Sequence, residues 1–192
     1  MRLLGVIVAG GRARRMGFDK IFATVGGKTI LERTIAALAP QVDLLLINAN
    51  ERGTRFATTG LAIIADEAPE LATPLAGIHA GLRHASAHGF DAVLTVPADC
   101  PFLPADLAKR LAPGPAVAAS GSETHFLTGL WPIGLLGSLE AALADGLSRV
   151  KDWAARSGAV PVAWPTAPFD PFLNLNTPED LLVAERIARR VD

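Results

Sequence analysis

Short apolar runs rich in Leu, Val and Ile alternate along this chain with longer stretches in which apolar residues return every three or four positions. The runs are LLGVIVA (3–9), VDLLLIN (42–48), LAIIA (61–65), DAVLTVP (91–97), PAVAAS (115–120), HFLTGLWP (125–132) and AVPVAW (159–164). Each has the length and composition of a buried strand. The stretches between them predict helices at TILERTIAALA (29–39), LAGIHAGLRHASA (75–87), PADLAKRLA (104–112), LLGSLEAALA (135–144), SRVKDWAARS (148–157) and PEDLLVAERIARR (178–190). A strand that is apolar on both faces must be covered on both, and strands separated by helices pair in parallel through crossovers. The expected architecture is a three-layer α/β/α domain around a mostly parallel sheet.

Composition narrows this picture. With 192 residues, half of them apolar and 19% charged, the chain can enclose one core and reads as a single domain over 1–192. No fixed-period repeat, low-complexity tract or Gly/Ser linker divides it. The Pro-rich segment PVAWPTAPFDP (161–171) reads as a surface loop and a candidate lid. A net charge of −1 supplies no overall field for nucleic acid or an anionic membrane, so an anion site must come from local clustering. The single Cys100 excludes an intrachain disulfide and a cysteine-rich zinc site. No apolar run reaches the ~18 residues of a membrane helix. Most of the charge near residues 3–9 follows the apolar run, whereas a secretory signal places it before. The expectation is a soluble cytoplasmic protein without nucleic-acid or membrane partners, a monomer or weak homo-oligomer.

The densest local charge lies directly after the first predicted strand, in VAGGRARRMGFDK (8–20). Ligands of open α/β sheets gather beyond the carboxyl ends of the strands, and this loop occupies such a position. Gly10 and Gly11 let backbone N–H groups approach an anion closely. Arg12, Arg14, Arg15 and Lys20 add cations, the arginines as two-pronged forks and the lysine as a point charge. A polyphosphate suits that set; a Gly-Gly turn with solvated arginines is the alternative. Two familiar phosphate motifs are missing. The glycines do not follow G-x-G-x-x-G, and the leading glycine of a Walker A loop is replaced by Phe22 ahead of Gly26-Gly27-Lys28-Thr29. GGKT reads instead as a turn and helix start with Thr29 as cap.

Further polar residues stand where the strands should end on the same side. Asp99, in VPADCPFLP, is placed to hold Mg²⁺ against phosphate oxygens, or alternatively to cap the helix near Pro104. Asn48 and Asp66 end two other runs, as ligands or as turn formers. In TPLAGI (73–78) a proline-led helix start exposes N–H groups and Gly77 permits close approach. In NLNTPEDL (174–181), Thr177, Pro178 and Asp180 open a helix, which leaves Asn174 and Asn176 unexplained, alternating along an extended segment. Trp131, Trp153 and Trp164 read as packing residues.

The spacing Gly10-Gly11, Arg15-Met16-Gly17, Asp19-Lys20 resembles the signature of nucleotidyltransferases that join a nucleoside monophosphate to a phosphorylated acceptor. Taken with D-x-P-x-x-P at Asp99, PLAGI at 74–78 and N-x-N-T-P at 174–178, the chain is most similar to the molybdenum cofactor guanylyltransferases. Thr73 stands where that family usually has glycine, and Phe126 replaces a proline after His125. The resemblance implies a Rossmann-like nucleotidyltransferase fold, with residues 1–100 serving mainly GTP and Mg²⁺ and 101–192 mainly the acceptor. It implies transfer of GMP from GTP to the terminal phosphate of molybdopterin or Mo-molybdopterin, with release of pyrophosphate. Arg15, Lys20 and Asp99 would be catalytic, and Asp99 the ligand of Mg²⁺, with Mn²⁺ as substitute. Val8, Ala9, Gly10, Gly11, Lys20, Asn48, Asp66, Gly77, Asp99, Asn174 and Asn176 would contact the substrates, and His125 is a candidate on the acceptor side. Cofactor-insertion proteins would be transient partners. The rivals are a cytidylyl- or sugar-phosphate nucleotidyltransferase on the same fold, and a non-catalytic nucleotide-binding regulator.

Overall fold

The computed structural model describes residues 1–10, 19–50, 54–67 and 73–191. Along the chain these form β1 (Leu3–Val8), a small ribbon of β2 (Thr24–Val25) and β3 (Lys28–Thr29), α1 (Ile30–Leu38), β4 (Leu44–Asn48) and β5 (Ala62–Ile64). The series continues with α2 (Pro74–His88), β6 (Ala92–Pro97), α3 (Leu107–Leu111), β7 (Ala116–Ser120), β8 (Glu123–Pro132), α4 (Leu136–Ala144), α5 (Val150–Arg156), β9 (Val160–Trp164) and α6 (Pro178–Val191).

Among the described residues, seven strands make one sheet in the order β5-β4-β1-β6-β8-β7-β9. β1 pairs in parallel with β4 and β6, β4 with β5, and β7 with β9, while β8 alone runs against both of its neighbours. All seven apolar runs became strands. The alternation of side chains sorts them between two cores. Leu3 and Ile7 join Leu31, Leu38, Leu107 and Leu111 on the face covered by α1 and α3. Leu4, Val6 and Val8 join Leu75, Ile78, Leu82, Leu139 and Trp153 on the face covered by α2, α4 and α5. A smaller cluster, including Val25, Ile30 and Ala184, seats α6 against the ribbon. The three-layer, mostly parallel expectation is met.

Local deviations have local causes. GGKT is a turn and helix start as expected, but the turn also closes the β2–β3 ribbon, with Gly26 and Gly27 at φ of 57° and 77°. Such positive angles suit a two-residue hairpin loop. Thr29 then caps α1 in a reciprocal box, its hydroxyl accepting from the Glu32 N–H and the Glu32 carboxylate accepting from the Thr29 N–H. The helix expected over 104–112 is shortened to Leu107–Leu111, and the Asp106 side chain accepts from Trp164 Nε1 at 3.0 Å instead of capping it. The expected loop 161–171 overlaps the expected strand 159–164, and residues 161–164 follow the strand reading as part of β9. The three tryptophans are buried, Trp131 and Trp153 completely. No helix among the described residues is long and apolar enough to cross a membrane.

Successive connections leave β1 toward β4 and β5, then return to β6 on its other side. A crevice opens beyond the strand ends at such a reversal. Val8 is opposite Asn48 on one side and Pro97 on the other, so the ends of three strands share one rim.

Candidate functional site

The rim residues converge. Ala9 N–H donates to Asn48 O at 2.9 Å and Ala98 N–H to Val8 O at 3.2 Å, which extends the ladders one step past the strands and holds the Val8–Ala9 peptide between β4 and β6. Val8 is buried, Ala9 half-buried and Gly10 exposed. Gly11 and Arg15, together with Arg12 and Arg14, lie outside the described residues.

Lys20 opens the 3-10 turn Lys20–Phe22. Its ammonium lies 2.5 Å from Asp99 Oδ2 and donates to Asn176 Oδ1 at 2.7 Å and Asn174 Oδ1 at 3.4 Å. Both partners of the ion pair keep only 14% side-chain exposure. Four residues from three separated stretches therefore meet at one cation. Asn174 and Asn176 point outward while Leu175, 1% exposed, anchors the segment, and Leu175 N–H reaches Asp99 O at 3.4 Å. This is the alternation expected from NLN. Asp180 secures the end of that segment by accepting from the N–H groups of Asn176 and Thr177, both at 2.8 Å. Although partial burial opposes it, those donors and the Thr177 hydroxyl hold the Asp180 carboxyl below its ordinary range.

Asp99 does not cap a helix; α3 starts eight residues later and Asp99 faces Lys20. Its Oδ1 is buried without a hydrogen-bond partner. A buried carboxylate oxygen without a donor is costly unless a cation or proton serves it. No cluster of three or more His, Cys, Asp or Glu capable of holding a metal occurs among the described residues. One carboxylate does fit a divalent ion that takes its other ligands from phosphates and water, the usual Mg²⁺ habit. The adjacent Cys100 is buried, which pushes its thiol well above its ordinary pKa, so it packs rather than reacts.

On the other flank of β1, the Asn48 amide, 1% exposed, donates to Asp66 Oδ1 at 2.8 Å and Ile64 O at 3.3 Å. Asn50, which the sequence reading passed over, donates to Asp66 Oδ2 at 2.7 Å and accepts from Asp66 N–H at 2.8 Å. Asn48 and Asp66 are thus brought together across β4 and β5. Gly77 has a packing reason here: a Cβ at this position would overlap Asn48 Oδ1. Thr73 caps α2, its hydroxyl accepting from Leu75 N–H at 3.3 Å and donating to Ser148 O. We expect Gly77→Ala to displace Asn48 and, even after the gain in helix preference, to cost about 1–3 kcal/mol. A melting temperature lower by roughly 2–4 °C per kcal/mol would register it; an unchanged melt would mean that Asn48 moves aside freely.

Two further pairings were invisible in sequence. Arg55 donates from Nε to Asp19 Oδ2 at 2.6 Å, with its guanidinium over the Phe56 ring at 4.8 Å, so the residue before Lys20 is tied to the β4–β5 connection. At the end of β7, Ser120 joins His125 and Asp170 at 2.7 and 2.8 Å.

A three-layer α/β/α domain with a Lys–Asp pair at the reversal point of its sheet is an α/β protein with a ligand crevice at that rim. Residues 5–160 match the MobA-like NTP transferase domain, and the chain belongs to that family. It is 48% identical to a molybdenum cofactor guanylyltransferase of Nitrobacter hamburgensis over 96% of this chain and 93% of that one. It is 46% identical to the one of Cereibacter sphaeroides over 99% of both. Among solved structures, the molybdopterin-guanine dinucleotide biosynthesis protein A of Archaeoglobus fulgidus superposes with a TM-score of 0.74 at 23% identity, covering 98% of this chain and all of that one. A 4-diphosphocytidyl-2C-methyl-D-erythritol synthase gives 0.69 at 18% identity over the full length of both, which marks a fold shared across nucleotidyltransferases.

Proposed function

We propose that this chain transfers GMP from GTP to the terminal phosphate of a molybdopterin-type acceptor and releases pyrophosphate. The observation that carries the reading is the convergence of Asp99, Asn174 and Asn176 on Lys20 at the strand rim, in a chain with relatives named for that activity. Acceptor and donor are both polyanions, so the protein must neutralise charge and align the attacking oxygen with the leaving group. An acceptor phosphate oxygen attacks the α-phosphorus of GTP; one P–O bond forms as the bond to the β-phosphate oxygen breaks. No covalent enzyme intermediate is required.

Lys20 carries the ammonium that would meet the triphosphate, and its two asparagine partners fix its direction without cancelling its charge. Arg15 and the N–H groups of the loop at Gly10 and Gly11 would add to that grip. Asp99 would hold Mg²⁺, which supplies charge neutralisation at the phosphates when bound; the unpartnered Oδ1 supports this assignment. The Asn48–Asp66–Asn50 network stiffens the flank of β1 toward β5, where the nucleoside would rest. Asn174 and Asn176 would meet the acceptor, and His125 would join them there, its ring lying against Phe172 of the same segment.

The test is to incubate the protein with Mg²⁺, molybdopterin and GTP, CTP or ATP, and to measure pyrophosphate and dinucleotide. We expect turnover with GTP. Selectivity for CTP would move the chain to a cytidylyl activity, and nucleotide binding without pyrophosphate from any of the three would make it a regulator.

A further inference from the structure

His125 is fitted into the strand rim by more structure than a packing histidine needs. β7 and β8 pair regularly from Ala116↔Leu130 to Val117↔Gly129, then resume at Ala118↔His125, so residues 126–128 bulge out of the ladder. A bulge turns the side chains beside it to new directions and commonly stands next to a functional site. This one is pinned from below, because the Thr95 hydroxyl on β6 donates to Leu127 O at 2.7 Å and itself accepts from Trp131 Nε1 at 2.9 Å. The His125 ring lies 4.9 Å from the Phe172 ring, and Phe172 belongs to the segment that leads directly to Asn174 and Asn176. Ser120 ends β7, which runs parallel to β1 and β6, so the cluster stands on the same rim as Lys20 and Asp99.

The hydrogen bonds then determine the protonation of the ring. Asp170 Oδ1 accepts from Phe172 N–H at 2.9 Å, and its Oδ2 accepts the Ser120 hydroxyl proton at 2.8 Å. A hydroxyl has one proton, and an ionised carboxylate can only accept. Ser120 Oγ must therefore receive the bond from His125, which places the imidazole proton on Nε2, 2.7 Å away. Burial lowers the His125 pKa from its ordinary value against the pull of Asp170 and Glu123, which favours the neutral ring. Nδ1 then carries a lone pair. Among the described residues none donates to it, and it is not one of the buried side-chain atoms without a partner, so it reaches the solvent-facing side of this half-buried residue.

We propose that His125 is a specificity residue whose Nδ1 accepts a hydrogen bond from an N–H group on the heterocycle of the phosphorylated acceptor. A phosphate dianion has no proton to give to this lone pair, and Asp170 beside it repels anions, so the ring system is the better partner than the phosphate. A pterin, which carries an amino group and a ring N–H, has the required donors. The position on β8, across β6 from the Asn48–Asp66 flank, separates this contact from the nucleoside. The inference rests on the guanylyltransferase reading for the identity of the acceptor.

The test combines kinetics and binding for His125→Ala, His125→Asn and Ser120→Ala. With GTP and molybdopterin, His125→Ala should raise the acceptor KM about tenfold, the loss of one hydrogen bond, while the GTP KM stays at its wild-type value; the melt should fall somewhat, because the ring also packs on Phe172 and donates to Ser120. Asn offers an amide oxygen near the place of Nδ1 and should recover most of the loss. Ser120→Ala, which releases the tautomer, should fall between. An unchanged acceptor KM in His125→Ala, or an equal rise for both substrates, overturns the proposal. Binding of a 6-substituted pterin phosphate, followed by its own fluorescence, keeps the two readings apart. If wild type makes no pyrophosphate the guanylyltransferase reading fails, yet weaker pterin binding by His125→Ala still supports the contact; no wild-type binding, or equal binding by both, overturns it.

Discussion

Asp99→Ala lowers kcat on the order of 10²-fold or more, the loss seen when one preorganised electrostatic stabiliser is removed from a reacting centre. The physical ground is the position of the carboxylate: half-buried at the end of β6, with one oxygen on Lys20 and the other without a donor. Without it the divalent ion loses the protein ligand proposed for it, and the charge on the transferring phosphoryl group is balanced by fewer cations. The chain should still fold, because Asp99 contributes nothing to either apolar core. Steady-state pyrophosphate release over a range of Mg²⁺ concentrations is the measurement. A loss that added Mg²⁺ partly reverses would support a metal ligand, whereas a rate equal to wild type would sink the assignment.

Lys20→Met should be comparably damaging, with a loss of about 10²–10³ in kcat/KM for GTP, since it keeps the length of the side chain and removes only its charge and donors. Its effect should not add to that of Asp99→Ala. The two groups touch, at 2.5 Å, and residues that act as one unit couple. In a double-mutant cycle the double variant should lose little more than the worse single variant. Full additivity would mean that the ion pair is incidental and that each group meets the substrates separately. The melting temperature of Lys20→Met is a useful control, because removing one partner leaves the largely buried Asp99 carboxylate without its counter-charge.

Much of the framework was legible in the chain itself. Seven apolar runs of strand length, spaced by helical stretches, could be buried only in a sheet covered on both faces, and that is the sheet observed. The Thr29 cap, the acidic opening of α6 and the outward alternation of Asn174 and Asn176 followed from rules that act over three or four residues, so reading along the chain sufficed. The limits of α3 did not follow, because the Asp106 side chain is taken by Trp164, a residue far away in sequence. The three-residue bulge in β8 had no signal either, since it depends on Thr95 of another strand catching Leu127 O.

The site divides along the same line. Residue types and their order determined that a cationic, glycine-rich loop, a carboxylate at a strand end and two alternating asparagines occur in this chain, because those choices are written locally. Only the tertiary structure decided that Lys20 is held by Asp99, Asn174 and Asn176 together, that Asn48 fills the space left by Gly77, and that Asp170 acts through Ser120 to assign the proton of His125. Each is a contact between residues brought together by the order of strands in the sheet. That order is set by how two cores pack on opposite faces, and no local periodicity encodes it.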